Sequence, residues 1–197
     1  MTEPVALSDI KTHLRLDQGA TDEDGYLTIL LTAARRACEG RIHRAVVGTA
    51  AIATFDSFPS APIGVPLEVQ QPDALYLELE GGTVASVTSI SYFDGAAAAQ
   101  TLDPATYIVD LDQIPARVAP LDAWPIAKQR PGAIKISYVL SPLPLDDLAA
   151  VKQAIFLLVE NWYSHRGAAV VDTKGVPTEL PLAVTWLLWP LTQFATS

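Results

Sequence analysis

The stretch whose reading decides the fold is residues 144–167, PLDDLAAVKQAIFLLVENWYSHRG. Leu148, Val151, Ile155, Leu158, Val159 and Trp162 recur there at helical spacing and line one face over about four turns. The helix starts at Leu145 or Asp146, directly after Pro142 and Pro144. Asp146 and Asp147 then occupy its first turn, where the positive end of the helix dipole favours them. His165 and Arg166 suit the carbonyl end, and Gly167 is placed to stop it. A loop over Ala168 to Thr178 leads to LPLAVTWLLWP, residues 180–190, in which Pro181 opens a short last helix that ends by Pro190. That segment is apolar nearly all round and needs cover on more than one side.

Working back to the N-terminus, a first short helix is expected from Ser8, whose hydroxyl would cap the following turn, with Leu7, Ile10 and Leu14 facing inward. Gln18-Gly19-Ala20 breaks it. Thr21-Asp22-Glu23-Asp24 supplies a capping hydroxyl and three carboxylates for the start of a second helix, and Gly40 is placed to end that helix. Tyr26, Ile29, Leu30, Ala33, Ala37 and Cys38 predict its apolar face.

Between Val46 and Leu140 the texture changes to short Val-, Ile-, Thr- and Tyr-rich runs separated by Pro, Gly and Asp, which is β-type punctuation. Ala133 to Tyr138 alternates Ile134, Ile136 and Tyr138 with Lys135 and Ser137, predicting a strand with one buried face. Val84 to Phe93 reads as a second strand, closed by an Asp94-Gly95 turn. Leu102 and Tyr107-Ile108-Val109 resume the pattern after Asp103-Pro104, while Ser57 to Pro72, with its four prolines, reads as an irregular connection or edge rather than a central strand. The predicted class is α+β: a small helical bundle from residues 1–45 and 141–197, with a β-rich insertion over residues 46–140.

Composition narrows the function. With 197 residues, half of them hydrophobic and only 18% charged, the chain is expected to fold around its own core. A formal charge of −9 opposes tight non-specific binding to nucleic acid, which needs clustered Lys and Arg. The single Cys38 leaves no intramolecular disulfide. Met1 to Asp9 lacks the basic start and apolar run of a signal peptide, and no apolar run approaches the length of a membrane span. A cytoplasmic origin is expected.

No catalytic constellation emerges. His13, His43, His165 and Cys38 lack metal-ligand spacing, so neither a metal nor another cofactor is expected. Cys38 lies beside an apolar stripe and reads as a small core residue. There is no Gly-x-Ser-x-Gly elbow, and Gly81-Gly82 lacks the partners of a phosphate loop and reads as a turn. Arg35, Arg36, Arg41 and Arg44 form the one basic cluster. It is either a solvated helix end, with an Arg35–Glu39 pair contributing only ~0.3 kcal/mol, or a positive corner that meets an acidic face of a neighbouring copy. Trp162 falls on the helix stripe and reads as core. Trp186 and Trp189 either tuck into their own domain or dock in a partner's groove.

Taken in order, several segments resemble the head-tail connector, or adaptor, proteins of long-tailed phages and gene transfer agents. They are Leu7-Ser8-Asp9-Ile10-Lys11-Thr12-His13-Leu14-Arg15, the acidic start and Glu39-Gly40 end of helix two, and Val87-Thr88-Ser89-Ile90-Ser91-Tyr92. They continue with Leu102-Asp103-Pro104-Ala105-Thr106-Tyr107, Arg130-Pro131-Gly132-Ala133-Ile134, the helix end from Ile155 to Arg166, and Glu179-Leu180-Pro181. The resemblance implies a non-enzymatic helical bundle with a β-rich insertion, about twelve copies of which form a head-to-tail ring beneath the portal protein. It implies a tail-side stopper or terminator ring as the other neighbour, and DNA passing through the lumen without sequence-specific binding. The place of action would be the neck of a virion or virus-like particle assembled in the bacterial cytoplasm, away from membranes. On this reading Leu180, Leu182, Trp186, Leu187, Trp189 and Leu191 are expected at the portal interface, and Arg35, Arg36, Arg41 and Arg44 at the subunit interface. The chain departs from the family pattern in its Pro-rich stretches at Ser57 to Pro72 and Ile114 to Pro125, which enlarge the insertion. A β-sandwich module binding a small ligand or carbohydrate is the alternative, and it would need polar groups among exposed aromatics.

Overall fold

A computed structural model describes residues 3–59, 75–165 and 182–192. The chain separates into two compact units, Met1–Val47 with Pro142–Ser197, and Gly48–Ser141.

The first unit is helical: α1 (Leu7–His13), α2 (Asp24–Ile42), α3 (Leu145–Ser164) and α4 (Leu182–Leu188), the last running into a 3-10 turn at Trp189–Leu191. The α3 stripe is as the periodicity predicts. Val151, Ile155, Leu158 and Val159 are buried together with Ala154, while Leu148 and Trp162 flank the core. Against it pack Leu27, Leu30, Leu31, Ala34, Cys38 and Ile42 of α2, with Ile10 of α1 and Val184 and Leu188 of α4. Each fully buried Ile or Leu in this set contributes about 1.5–3 kcal/mol. The backbone N–H of Leu143 donates to the carbonyl of Val46 at 3.2 Å, tying together the points where the chain leaves and re-enters the bundle.

Four sequence expectations for this unit need correction, one of them at the start of α2, where Glu23 and not Thr21 precedes the helix and no side chain caps it. Ser8 is not a cap: α1 begins one residue earlier, behind an extended Ala6 with no side-chain cap, and the Ser8 carbonyl instead accepts from Thr12 Oγ1 and Gln18 Nε2. Gly40 does not end α2, which continues to Ile42 and stops where His43 adopts a left-handed φ of 55°. A glycine inside a helix costs only about 1 kcal/mol, so two more residues of packing outweigh it. The α2 face is also rotated. Ile29 is 67% exposed, because the neighbouring stripe Leu27, Leu31, Ala34 and Cys38 offers more aliphatic bulk to α3.

The second unit holds two antiparallel sheets. One has the order β1 (Thr49–Phe55), β7 (Ile134–Leu140), β3 (Val84–Phe93), β4 (Ala99–Thr101); the other is β2 (Leu77–Leu79), β6 (Ala116–Pro120), β5 (Tyr107–Asp110). The two strands read from the sequence are the centre of the first sheet, with Ile134, Ile136 and Tyr138 buried and Lys135 exposed. Asp94 shapes the β3–β4 turn by accepting from the amides of Ala96 and Ala98, each at 2.9 Å. Gly81 and Gly82 take φ of 101° and 117° between β2 and β3, and a Cβ on Gly81 would lie 3.1 Å from Leu140. Strand β6 was not legible. It lies within the Pro-rich Ile114 to Pro125 stretch yet occupies the centre of its sheet, burying Ala116 and Val118. Of the expected Ser57–Pro72 connection only residues 57–59 are described; there Phe58 stacks on Trp124 at 4.6 Å. The Ala168–Thr178 loop, Arg166, Gly167 and Pro181 lie outside the described residues.

Candidate docking surface

Helix α4 shows what the apolar C-terminal segment does. Val184 and Leu188 are fully buried in the bundle, with Leu187 and Leu191 half-buried beside them. The opposite face carries Leu182, Trp186 and Trp189, which are 72%, 71% and 56% exposed. Their spacing of four and then three residues puts them on one ridge. Of the two sequence alternatives, tucking into the domain does not hold for the tryptophans: Val184 and Leu188 anchor the helix, while Trp186 and Trp189 stand outward. The Arg41 guanidinium lies 5.9 Å from the Trp189 ring, within cation–π range, and places a positive charge at one end of the ridge. Thr192 Oγ1 donates to the Leu188 carbonyl and closes the 3-10 turn. Leu180 lies outside the described residues.

The arginine cluster divides. Arg35 is buried, its Nε donating to Glu3 and its Nη1 to Glu39, both at 2.8 Å. Burial alone would lower its pKa, but the hydrogen bonds it donates to Glu3 and Glu39, with the charges of those carboxylates, outweigh that and hold the guanidinium above its ordinary range. Arg35 therefore works inside its own chain. Arg44 lies 3.5 Å from Asp147 at the start of α3. Arg36 keeps a largely exposed side chain, with Glu39 at 3.7 Å. Together with Arg41 these leave Arg36 as the outermost positive group of the corner.

Two internal polar arrangements were not foreseen. Lys11 is buried, donating to the Ala20 carbonyl at 2.7 Å and lying 2.6 Å from Asp24, so the loop between α1 and α2 is wrapped around an ammonium group. The only cue in the sequence was a lysine within the inward stripe of a short helix. His13 stacks on Phe156 at 4.9 Å and reaches Glu160 at 3.1 Å. Cys38 is buried, and burial first, then the Glu39 charge, pushes its thiol up to about 12, so it is no nucleophile near neutral pH. Among the described residues no three His, Cys, Asp or Glu side chains are grouped to hold a metal ion, and no helix is long and apolar enough to cross a membrane.

The class that the fold and this surface define is an α+β chain whose helical bundle carries an exposed apolar ridge of Leu182, Trp186 and Trp189. Residues 4–74 match the family model described as phage gp6-like head-tail connector protein. The whole chain also shares the fold of chains in solved gene transfer agent (GTA) particles. In the virion of a native GTA particle the similarity spans 98% of this chain and 92% of that one, at 21% identity and a TM-score of 0.67. In the neck of an empty GTA particle computed with C6 symmetry the figures are 100%, 95%, 21% and 0.64. In the neck of a native GTA particle computed with C12 symmetry they are 100%, 94%, 18% and 0.61. Comparison with curated protein sequences finds no match.

Proposed function

We propose that this protein is a structural head-tail connector that forms a ring of about twelve copies beneath the portal protein and joins the DNA-filled head to the tail. The match of residues 4–74 to the connector family carries this reading, and the shared fold with neck chains over the full length supports it. The work is mechanical and no reaction is catalysed. The ridge of Leu182, Trp186 and Trp189, with Leu187 and Leu191 beneath it and Leu180 preceding it, meets the portal. Large aromatics standing outward on an anchored helix are the side chains that dominate interface energies. Arg36, Arg41 and Arg44 form the corner that meets an acidic face of the next copy, with Arg35 holding that corner from within.

The tail side carries the stopper or terminator ring, and the particle neck is assembled in the bacterial cytoplasm. DNA crosses the lumen without sequence readout. A net charge of −9 suits that passage, since phosphate attraction would slow it. The test is co-sedimentation with the portal encoded beside it: the unmodified chain is expected to travel with the portal, and a Leu182→Ala/Trp186→Ala/Trp189→Ala chain is expected to remain behind while still folded.

A further inference from the structure

We propose that neighbouring copies join through the two edges of the four-stranded sheet that no further strand covers among the described residues, β1 of one copy pairing with β4 of the next; this rests on the ring assembly proposed above. Strand β1 pairs with β7 in unbroken register from Thr49 opposite Leu140 to Phe55 opposite Ile134, and among the described residues no strand lies on its other side. Its sequence, Thr49-Ala50-Ala51-Ile52-Ala53-Thr54-Phe55, contains no charge, proline or glycine. Proteins that must keep a long edge unpaired place such residues on it. The other sheet does so: β2 carries Glu78 and β5 ends on Asp110. Ile52 instead stands 66% exposed on β1.

The occupant is identified by the opposite edge of the same sheet. Strand β4, Ala99-Gln100-Thr101, is uncharged and exposed throughout. A head-to-tail ring needs two different patches on every subunit, each complementary to the other. The sheet supplies them. Each neighbouring pair in β1-β7-β3-β4 is antiparallel, so β1 and β4 run in opposite directions, and copies related by rotation about a ring axis continue the sheet as an antiparallel ladder. On a chain of net charge −9, two uncharged edges are also where copies approach without like-charge repulsion.

The register defines the test. Ile52 lies opposite Ser137, Ser137 opposite Ser89, and Ser91, two residues further along β3, opposite Thr101. Ile52, Thr101 and Ala99 therefore share one face of the sheet. In the full chain, with Cys38 buried and unreactive, Ile52→Cys is combined with Thr101→Cys or with Ala99→Cys, covering two registers. Each double variant is assembled on the portal and oxidised. One of the two is expected to give a ladder of covalent oligomers on a non-reducing gel, which the single variants do not give. As a companion, Ile52→Lys is expected to leave the unfolding midpoint unchanged and to abolish the ring. The proposal is overturned if rings form but neither double variant gives a ladder, if the only cross-link is intramolecular or to another protein, or if Ile52→Lys rings form normally. If the unmodified chain forms no ring on the portal, the connector reading fails as well, which separates the two failures.

Discussion

Replacing Trp186 with alanine separates the contact role of α4 from its structural role. A tryptophan side chain presents about 250 Å² at most, and Trp186 is 71% exposed, leaving ~180 Å² for a partner to cover. At about 25 cal/mol per Å² the ceiling is ~4.5 kcal/mol. Alanine retains part of that area and immobilising the ring opposes binding, so the net loss should be about 2–3 kcal/mol, or roughly 30- to 150-fold in Kd. The same exposure means that stability should change by no more than about 0.5 kcal/mol. Leu188, fully buried on the opposite face of the helix, predicts the inverse: Leu188→Ala should cost about 2–5 kcal/mol of stability. The assay pairs urea unfolding of each variant with titration onto purified portal. A Trp186→Ala protein that unfolds more than about 1 kcal/mol more easily, or that binds the portal as tightly as the parent, would refute the reasoning.

Other predictions follow from the polar groups. Arg35→Leu leaves Glu3 and Glu39 facing each other in a half-buried site and should destabilise the chain by about 3–5 kcal/mol in chemical denaturation. Asp94 is held below its ordinary value of 3.8 by the Gln100 hydrogen bond, then by the amides of Ala98 and Ala96. Its contribution is therefore present above the unfolded value and lost as pH falls through the lower folded one. Amide exchange at Ala96 and Ala98 should accelerate over that acid range in the parent and be pH-independent there, beyond the intrinsic rate, in Asp94→Asn. Cys38 should resist alkylation at pH 8 in the folded chain and react only at the rate of unfolding, as followed by mass spectrometry.

What could be read from the sequence was what local periodicity determines. The α3 stripe and the Ile134-Ile136-Tyr138 alternation each have one face that fits a core, and both lie where the pattern put them. Helix α2 carries two overlapping apolar stripes, one through Tyr26 and Ile29 and one through Leu27 and Leu31, and only packing against α3 selects between them. Buried Lys11 depends on the chain turning back within a few residues to bring the Ala20 carbonyl onto its ammonium, and buried Arg35 on Glu3 from a distant part of the chain; helical periodicity reports neither. Strand β6 was hidden because its flanking prolines resemble loop punctuation, although Pro120 sits only at its end. For the ridge on α4, composition showed only that the helix is apolar nearly all round. Which residues face outward became legible only with Val184 and Leu188 anchored in the bundle.

The most direct measurement of the connector account is cryo-electron microscopy of the full-length protein mixed with the portal. The account predicts a closed ring of about twelve copies at one end of the portal, with Trp186 and Trp189 buried at the contact. A protein that remains monomeric beside an undecorated portal would contradict it.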